Sequence, residues 1–215
     1  KVVHERLDDV VQLAARLDRW AARLASLEHL RPLLPMPAPP SAPDGGSLVR
    51  AAPAPAQPSA KRNRFVLDAL DALARCQLLC ALREGDFGAT AVNRALESRL
   101  RRAWEADEGA EWYPGRAIIV TRNDYGAGLF NGDVGLCLAD DNGHLRIWFE
   151  AVGGEEARGT GGRAVRSFAI GTLPEHETAF AITIHKSQGS EYDRAAVLLS
   201  PAAEARILSR QLLYN

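Results

Sequence analysis

Ala179-Phe-Ala-Ile-Thr-Ile-His-Lys-Ser-Gln-Gly-Ser-Glu-Tyr-Asp193 decides the fold of this chain. A hydroxyl, an imidazole, an ammonium, a carboxamide and a carboxylate crowd around one glycine, directly after a short apolar run. Ala179, Ile182 and Ile184 are suited to anchor one side in a core, which leaves Thr183, Lys186, Ser187 and Gln188 facing outward. Gly189 lacks a Cβ, so the chain there is free to take a positive φ or to let a ligand approach closely. Ala195 to Leu199 follows, short and wholly apolar, which predicts a strand buried on both faces. A polar turn between two such segments belongs at the edge of a mainly parallel sheet in an α/β fold, where open α/β proteins bind ligands. Read without that context, the same residues are a capped helix end with solvated polar groups.

The run His185-Lys186-Ser187-Gln188-Gly189-Ser190-Glu191 resembles motif V of superfamily 1 DNA helicases, in the form found in the RecD branch, the alpha subunit of exonuclease V. A second segment carries the same resemblance. Cys76 to Leu82 reads as a buried strand that runs into Arg83-Glu84-Gly85-Asp86-Phe87-Gly88, and Ala89 to Trp104 then shows helical periodicity. The apolar positions Val92, Ala95, Leu96, Leu100 and Ala103 point inward and Arg94, Arg99, Arg101 and Arg102 outward. Strand, loop and helix make a βα unit with its loop at the carboxyl end of the strand. An arginine there suits phosphate, because its planar fork is permanently charged and binds bidentately. This region is similar to motif IV of RecD-type helicases, which implies that Arg83 reaches the γ-phosphate of ATP. Read locally, Arg83 is instead an ion-pair partner of Glu84 or Asp86. Asp86-Phe87-Gly88 is not a kinase metal motif, since the catalytic-loop and β3-lysine partners are missing.

Bulk composition sets wide limits around these motifs. The chain has 215 residues, 47% hydrophobic and 25% charged, enough for one large domain or two small ones. A formal net charge of -1 does not announce a nucleic-acid binder, yet a local basic groove is compatible with it. Cys76, Cys80 and Cys137 are odd in number and lack paired metal-ligand spacing, which predicts reduced, buried thiols of a cytosolic protein and no metal site. No apolar run approaches the roughly 20 residues of a membrane span, and the first residues do not make a signal peptide. The chain opens without Met and stops at Tyr214-Asn215 inside a helical pattern, so both ends read as cut from something longer.

Five parts are expected. Residues 1–30 form an N-terminal helical segment, with Leu7, Val10, Val11, Ala14, Leu17, Ala21, Leu24 and Leu27 as its apolar stripe. Residues 31–60 hold nine of the twelve prolines and are expected to be a flexible linker, because neither a helix nor a sheet ladder tolerates that density. Residues 61–121 begin the main α/β domain with a short helix from Phe65 to Ala74, the βα unit above, and a strand at Ile118 to Val120. Residues 122–172 contain short alternating strands at Val134 to Leu138, Leu145 to Glu150 and Ala164 to Ile170, broken by Asp140-Asp141-Asn142-Gly143 and the glycine-rich span Gly153 to Gly162. Such spacing predicts a meander closing into a small barrel. Residues 173–215 return to the main sheet. The glycines of Gly126 to Asp133 have the wrong spacing for a dinucleotide fingerprint, and Asn131-Gly132 is a turn signal instead.

The span Trp112 to Gly135 is also close to RecD-type helicases, where it leads into an SH3-like β-barrel insertion. The resemblance as a whole implies a RecA-like parallel sheet with flanking helices, the second motor domain of the helicase, interrupted by that barrel. It implies that Arg83, Gln188, Gly189 and Glu191 line an ATP cleft, Glu191 near the ribose, and that Thr183, His185 and Lys186 hold backbone phosphates of a single DNA strand with little sequence information. Arg122 and Asn123 either touch a DNA phosphate or order the turn. No Gly-x-x-x-x-Gly-Lys-Ser/Thr occurs, so the phosphate-cradling loop and the metal-holding acidic motif of a first domain are not in this sequence. The family's last arginine motif would follow Gln211 to Tyr214.

ATP and Mg2+ are therefore expected of a full-length 5′-to-3′ helicase and not of this stretch alone, which is expected neither to hydrolyse ATP nor to unwind DNA. RecB, RecC and single-stranded DNA are the partners implied, in double-strand break repair in a bacterial cytoplasm. Other readings are a solitary RecD-like, Pif1-like or relaxase-type helicase, or a non-enzymatic nucleic-acid-binding module.

Overall fold

The computed structural model describes residues 9–27, 30, 58–151 and 163–200. Residues 31–57 of the proline-rich span, the whole glycine-rich span Gly153 to Gly162 and the expected helix beyond 200 lie outside the described residues. In chain order the elements are α1 (Val10–Ala25), α2 (Ala60–Ala74), β1 (Cys76–Cys80), α3 (Ala89–Ala103), β2 (Ala117–Val120), β3 (Val134–Ala139), β4 (Leu145–Ala151), β5 (Ala164–Phe168), β6 (His176–Thr178), β7 (Ala181–Thr183) and β8 (Arg194–Leu198).

Two sheets organise them. The first is parallel, in the order β7-β1-β8, with Cys80 opposite Thr183 on one side and opposite Leu198 on the other. It fits the α/β class, with helices flanking a parallel sheet. The second is antiparallel, in the order β5-β4-β3-β2-β6. It takes in β2 and β6, which the sequence reading leaves outside 122–172, because Ile118, Ile119 and Val120 pair with Thr178, Glu177 and His176. The alternation of β2 explains why all four of its residues are buried. Ala117 and Ile119 enter the main core beneath the helices, while Ile118 and Val120 enter a second, smaller core with Leu129, Cys137, Ile147 and Phe149.

The helices follow from local chemistry with some departures. The Asp9 side chain accepts from Gln12 N at 2.8 Å and caps α1. Its buried stripe is Leu13, Leu17, Ala21 and Leu24, while Val10 and Val11, expected inside, are exposed. Leu13 sets that register: it is one turn before Leu17, and Val11 falls on the opposite side. Helix α2 starts five residues before the expected Phe65, where Ser59 Oγ accepts from Arg62 N at 3.2 Å. In α3, Val92, Leu96 and Leu100 are buried as expected, whereas Ala103 is exposed at the helix end. The segment around Ala195 to Leu199, expected to be buried on both faces, forms β8, an edge strand among the described residues, with Val197 at 45% exposure and Leu199, just past the strand, at 41%.

Side chains join the two sheets through α2. Arg163 donates to both oxygens of Asp71 on α2 at 2.7 and 2.9 Å and to both oxygens of Glu150 on β4 at 2.6 and 2.9 Å. Arg62 binds Asp141 at 3.0 Å, and buried Asn63 accepts from Val165 N at 2.8 Å. The three cysteines are free and buried, and burial pushes the Cys80 and Cys137 thiols up to about 12, so neither is a ready nucleophile.

Candidate functional site

β1 and β7 are neighbours in the parallel sheet, and both chains leave it in the same direction after the Cys80 and Thr183 pair. Arg83 stands three residues beyond the first and Lys186 three beyond the second. After β1 the backbone turns sharply into α3: Ala89 N donates to Leu82 O and Thr90 N to Arg83 O, each at 3.0 Å. This turn needs Gly88, since a Cβ there would lie 2.6 Å from Arg83 O. After β7 the chain enters a 3-10 turn, Ile184–Ser187, and leaves it through Gly189 at φ +83°. A Cβ on Gly189 would meet nothing within 4 Å, so backbone strain rather than crowding is what favours glycine.

Between these two exits lies a cavity of about 320 Å3, lined among others by Arg83, Arg94, Asn93, Glu177, Thr183 and Lys186. Glu177 on β6 bridges two of the lining cations. Its Oε1 accepts from Arg83 Nη2 at 2.6 Å and its Oε2 from Lys186 Nζ at 2.7 Å. Arg83 also lies 3.5 Å from Glu84, the local ion pair open from sequence, but the shorter bond goes to Glu177. Three cations line the cavity, Arg83, Arg94 and Lys186, against three carboxylates, Glu84, Glu97 and Glu177. The wall is in formal balance.

The wall is held from below by Asn93 on α3. Its amide donates to Thr178 O at 2.8 Å and to Ala181 O at 2.7 Å, and its oxygen accepts from Ala181 N at 2.8 Å. All three bonds fall on the segment joining β6 to β7, and Asn93 is buried. Glu97, one turn further along α3, accepts from Tyr113 Oη at 3.2 Å and lies 3.4 Å from Arg116 Nε. Burial, followed by the nearby Glu97 charge, holds the Tyr113 hydroxyl well above the usual phenol range, so it acts as a neutral donor.

The cavity does not follow the division of residues expected from sequence. Arg83, expected at the nucleotide, shares it with Thr183 and Lys186, expected at the DNA strand. Gln188, Gly189 and Glu191 are exposed and do not line it, and His185 is exposed beside it. Ser187, expected to face outward, is buried, because the 3-10 turn folds its hydroxyl back to donate to Ile184 O at 2.7 Å. Arg122 pairs with Glu175 at 3.3 Å, and Asn123 orders the turn by accepting from Asn131 N at 2.7 Å.

Two residues central to the site escape the sequence reading. Glu177 is placed by strand pairing alone, and nothing in its local sequence marks it. Asn93 does carry a signal, a polar residue between the apolar positions Val92 and Leu96 on the inward face of α3. Among the described residues no group of three or more His, Cys, Asp or Glu side chains is placed to hold a metal ion. Among the described residues no helix is long and apolar enough to cross a membrane.

Comparison with known proteins gives matches across most of the chain. A family model described as the UvrD-like helicase C-terminal domain matches residues 178–215. The RecBCD enzyme subunit RecD of Mycolicibacterium smegmatis is 40% identical over 148 residues, covering 69% of this chain and 24% of that protein. The ATP-dependent RecD2 DNA helicase of Deinococcus radiodurans is 27% identical over 158 residues, 73% of this chain and 20% of that protein. A crystal structure of Bacteroides Pif1 bound to ssDNA aligns at a TM-score of 0.27 and 16% identity, over 63% of this chain and 40% of that one, too slight a likeness to carry an argument. The chain spans about a quarter of the length of the first of these relatives.

Proposed function

We propose that this chain, whose sequence similarity to RecD subunits bears out the resemblance stated at the outset, is part of the second motor domain of a superfamily 1 DNA helicase. The parent protein couples ATP hydrolysis to 5′-to-3′ movement along single-stranded DNA in the bacterial cytoplasm, with RecB and RecC as partners in double-strand break repair. The observation that carries this reading is the convergence of Arg83 and Lys186 at the carboxyl ends of two adjacent parallel strands, the place where open α/β sheets bind ligands.

In a two-domain motor the nucleotide is sensed from both sides, because only differential contact with the ATP and ADP states shifts the balance between open and closed forms. Arg83 contributes a bidentate cation to the terminal phosphate. Gln188, Gly189 and Glu191, exposed just past the 3-10 turn, form the remaining wall of the nucleotide cleft and meet it when a partner domain closes over them. Thr183, His185 and Lys186 hold strand phosphates, and Arg122 and Asn123 extend that path along the antiparallel sheet. This sheet, residues 122–172 with β2 and β6, serves as the SH3-like insertion of the motor domain. ATP with its Mg2+ supplies the reaction's free energy, and its phosphate-cradling loop belongs to another domain.

Replacing Arg83 by Ala in the intact protein tests this. DNA-stimulated ATP turnover falls by about a hundredfold or more, as for other arginines that neutralise transferring phosphoryl groups, while binding to an oligo-dT strand persists. Unchanged turnover would remove Arg83 from the cleft. The isolated chain is expected to show no ATP turnover above a tag-only control.

A further inference from the structure

The bonds of Glu177 cross the boundary between the two proposed ligand sites. One oxygen holds the nucleotide-side Arg83 at 2.6 Å, and the other holds the strand-side Lys186 at 2.7 Å. We infer that Glu177 is a positioning residue that couples the two sites, standing in for phosphate on both cations so that nucleotide and single-strand phosphates compete with it and, through it, with each other. The inference rests on the motor reading above.

Three observations support Glu177 over the other carboxylates of the cavity. Glu97 is occupied by Tyr113 Oη and lies beside Arg116. Glu84 accepts from Thr90 Oγ1 at 3.1 Å and stands 3.5 Å from Arg83. Only Glu177 among these three carboxylates holds both cations that come from the two parallel strands. Lys186 is the less exposed of the two, at 24% against 64% for Arg83, so Arg83 is the easier to draw away.

The direction of the coupling follows from charge. When a nucleotide phosphate takes Arg83, Glu177 keeps a full negative charge with Lys186 as its remaining partner in the pair of bonds. Lys186 is then held more firmly and yields less readily to a strand phosphate. A strand phosphate that takes Lys186 leaves Glu177 to Arg83 in the same way. Linkage requires the two effects to be equal in free energy. Because the three groups are partly exposed, water screens their pairing and the expected effect is small, about two- to fivefold.

The test uses the intact protein, a fluorescent oligo-dT strand and a non-hydrolysable ATP analogue, with anisotropy as the readout. In the unaltered protein, saturating analogue weakens oligo-dT binding about two- to fivefold. In Glu177→Gln, oligo-dT binds about two- to fivefold more tightly without analogue, and the weakening by analogue disappears. Glu108→Gln removes one exposed charge outside the cavity and controls for general electrostatics. It leaves the analogue effect intact. Matching thermal melts for the three proteins establish that each is folded, and Glu177→Asp serves in place of Glu177→Gln if the latter does not fold, with a partial version of the same changes. The inference is overturned if the unaltered protein binds both ligands without mutual weakening, if Glu177→Gln leaves affinity or coupling unchanged, or if Glu108→Gln reproduces its effect. Failure of the unaltered protein to bind either ligand would instead overturn the motor reading itself.

Discussion

Among the described residues two charge clusters are built on opposite plans. At the seam between α2 and the antiparallel sheet, one arginine, Arg163, is gripped by two carboxylates, Asp71 and Glu150, through four bonds of 2.6 to 2.9 Å. At the cavity, one carboxylate, Glu177, is shared by two cations, Arg83 and Lys186. The first is centred on a guanidinium and the second on a carboxylate. Every member of the seam cluster gains from staying where it is, since a guanidinium between two carboxylates in fork geometry is satisfied at both ends. Each cation of the cavity cluster has one oxygen of Glu177 and retains donors for something else. Similar bond lengths therefore serve different ends, closure at the seam and readiness at the cavity.

Three substitutions sharpen or break that contrast, beginning with the group beneath the cavity. Asn93→Ala strands the Ala181 amide and removes the donor for the Thr178 and Ala181 carbonyls in a buried setting, which costs about 2 to 3 kcal/mol. Calorimetric unfolding reads this as a clear fall in Tm. A change below about 0.5 kcal/mol, the usual range of neutral surface substitutions, would show that the β6 to β7 segment holds its place without the tether.

Arg163→Gln comes next, with a loss of about 1 kcal/mol, since all three members of its cluster are at least a third exposed and screened by water. Oligo-dT binding stays unchanged. This loss depends on pH. Arg163, through its hydrogen bonds and then its charge, holds the Asp71 carboxyl below its ordinary 3.8, so that pair contributes its full stability above that value and loses it as pH falls through the lowered folded value. The difference between Arg163→Gln and the unaltered protein therefore shrinks below pH 3.8. A difference that grew there would reverse the assignment.

Lys186→Gln has the smallest effect on stability, within about 0.5 kcal/mol, because a single partly exposed ion pair is removed and Glu177 keeps Arg83, whereas Arg163→Gln removes two pairs at once. Its effect lies in binding, where oligo-dT affinity falls several-fold. If Lys186→Gln destabilised the fold as much as Arg163→Gln and left binding untouched, the two clusters would be alike and the contrast would be lost.

Legibility in the sequence tracked the range of the interaction. The βα unit was visible because its strand, loop and helix are consecutive, and Gly88 and Asn93 sit within it. The 3-10 turn was visible as a dense polar motif, though its fold-back of Ser187 was not, since a hydroxyl looks the same whether it meets solvent or a carbonyl three residues behind. β8 read as doubly buried because Ala195 to Leu199 is apolar throughout, and composition says nothing of which side of a sheet is covered. Glu177 was missed for a related reason. It lies between two unremarkable neighbours, and its meaning comes from side-chain bonds that reach across 94 residues of chain to Arg83 and nine to Lys186.

What the sequence determined by itself is local: the polar runs at 83–88 and 185–191, the buried free thiols, and the order of helix and strand, all properties of short contiguous segments. The tertiary structure decided which of those residues meet. It drew β2 and β6 into one sheet and so carried Glu177 to the ends of β1 and β7, where one carboxylate holds Arg83 and Lys186. The physical reason is that hydrogen-bonded strand pairing, unlike periodicity, is a relation between distant segments. A charge acquires its partner only when the chain closes on it.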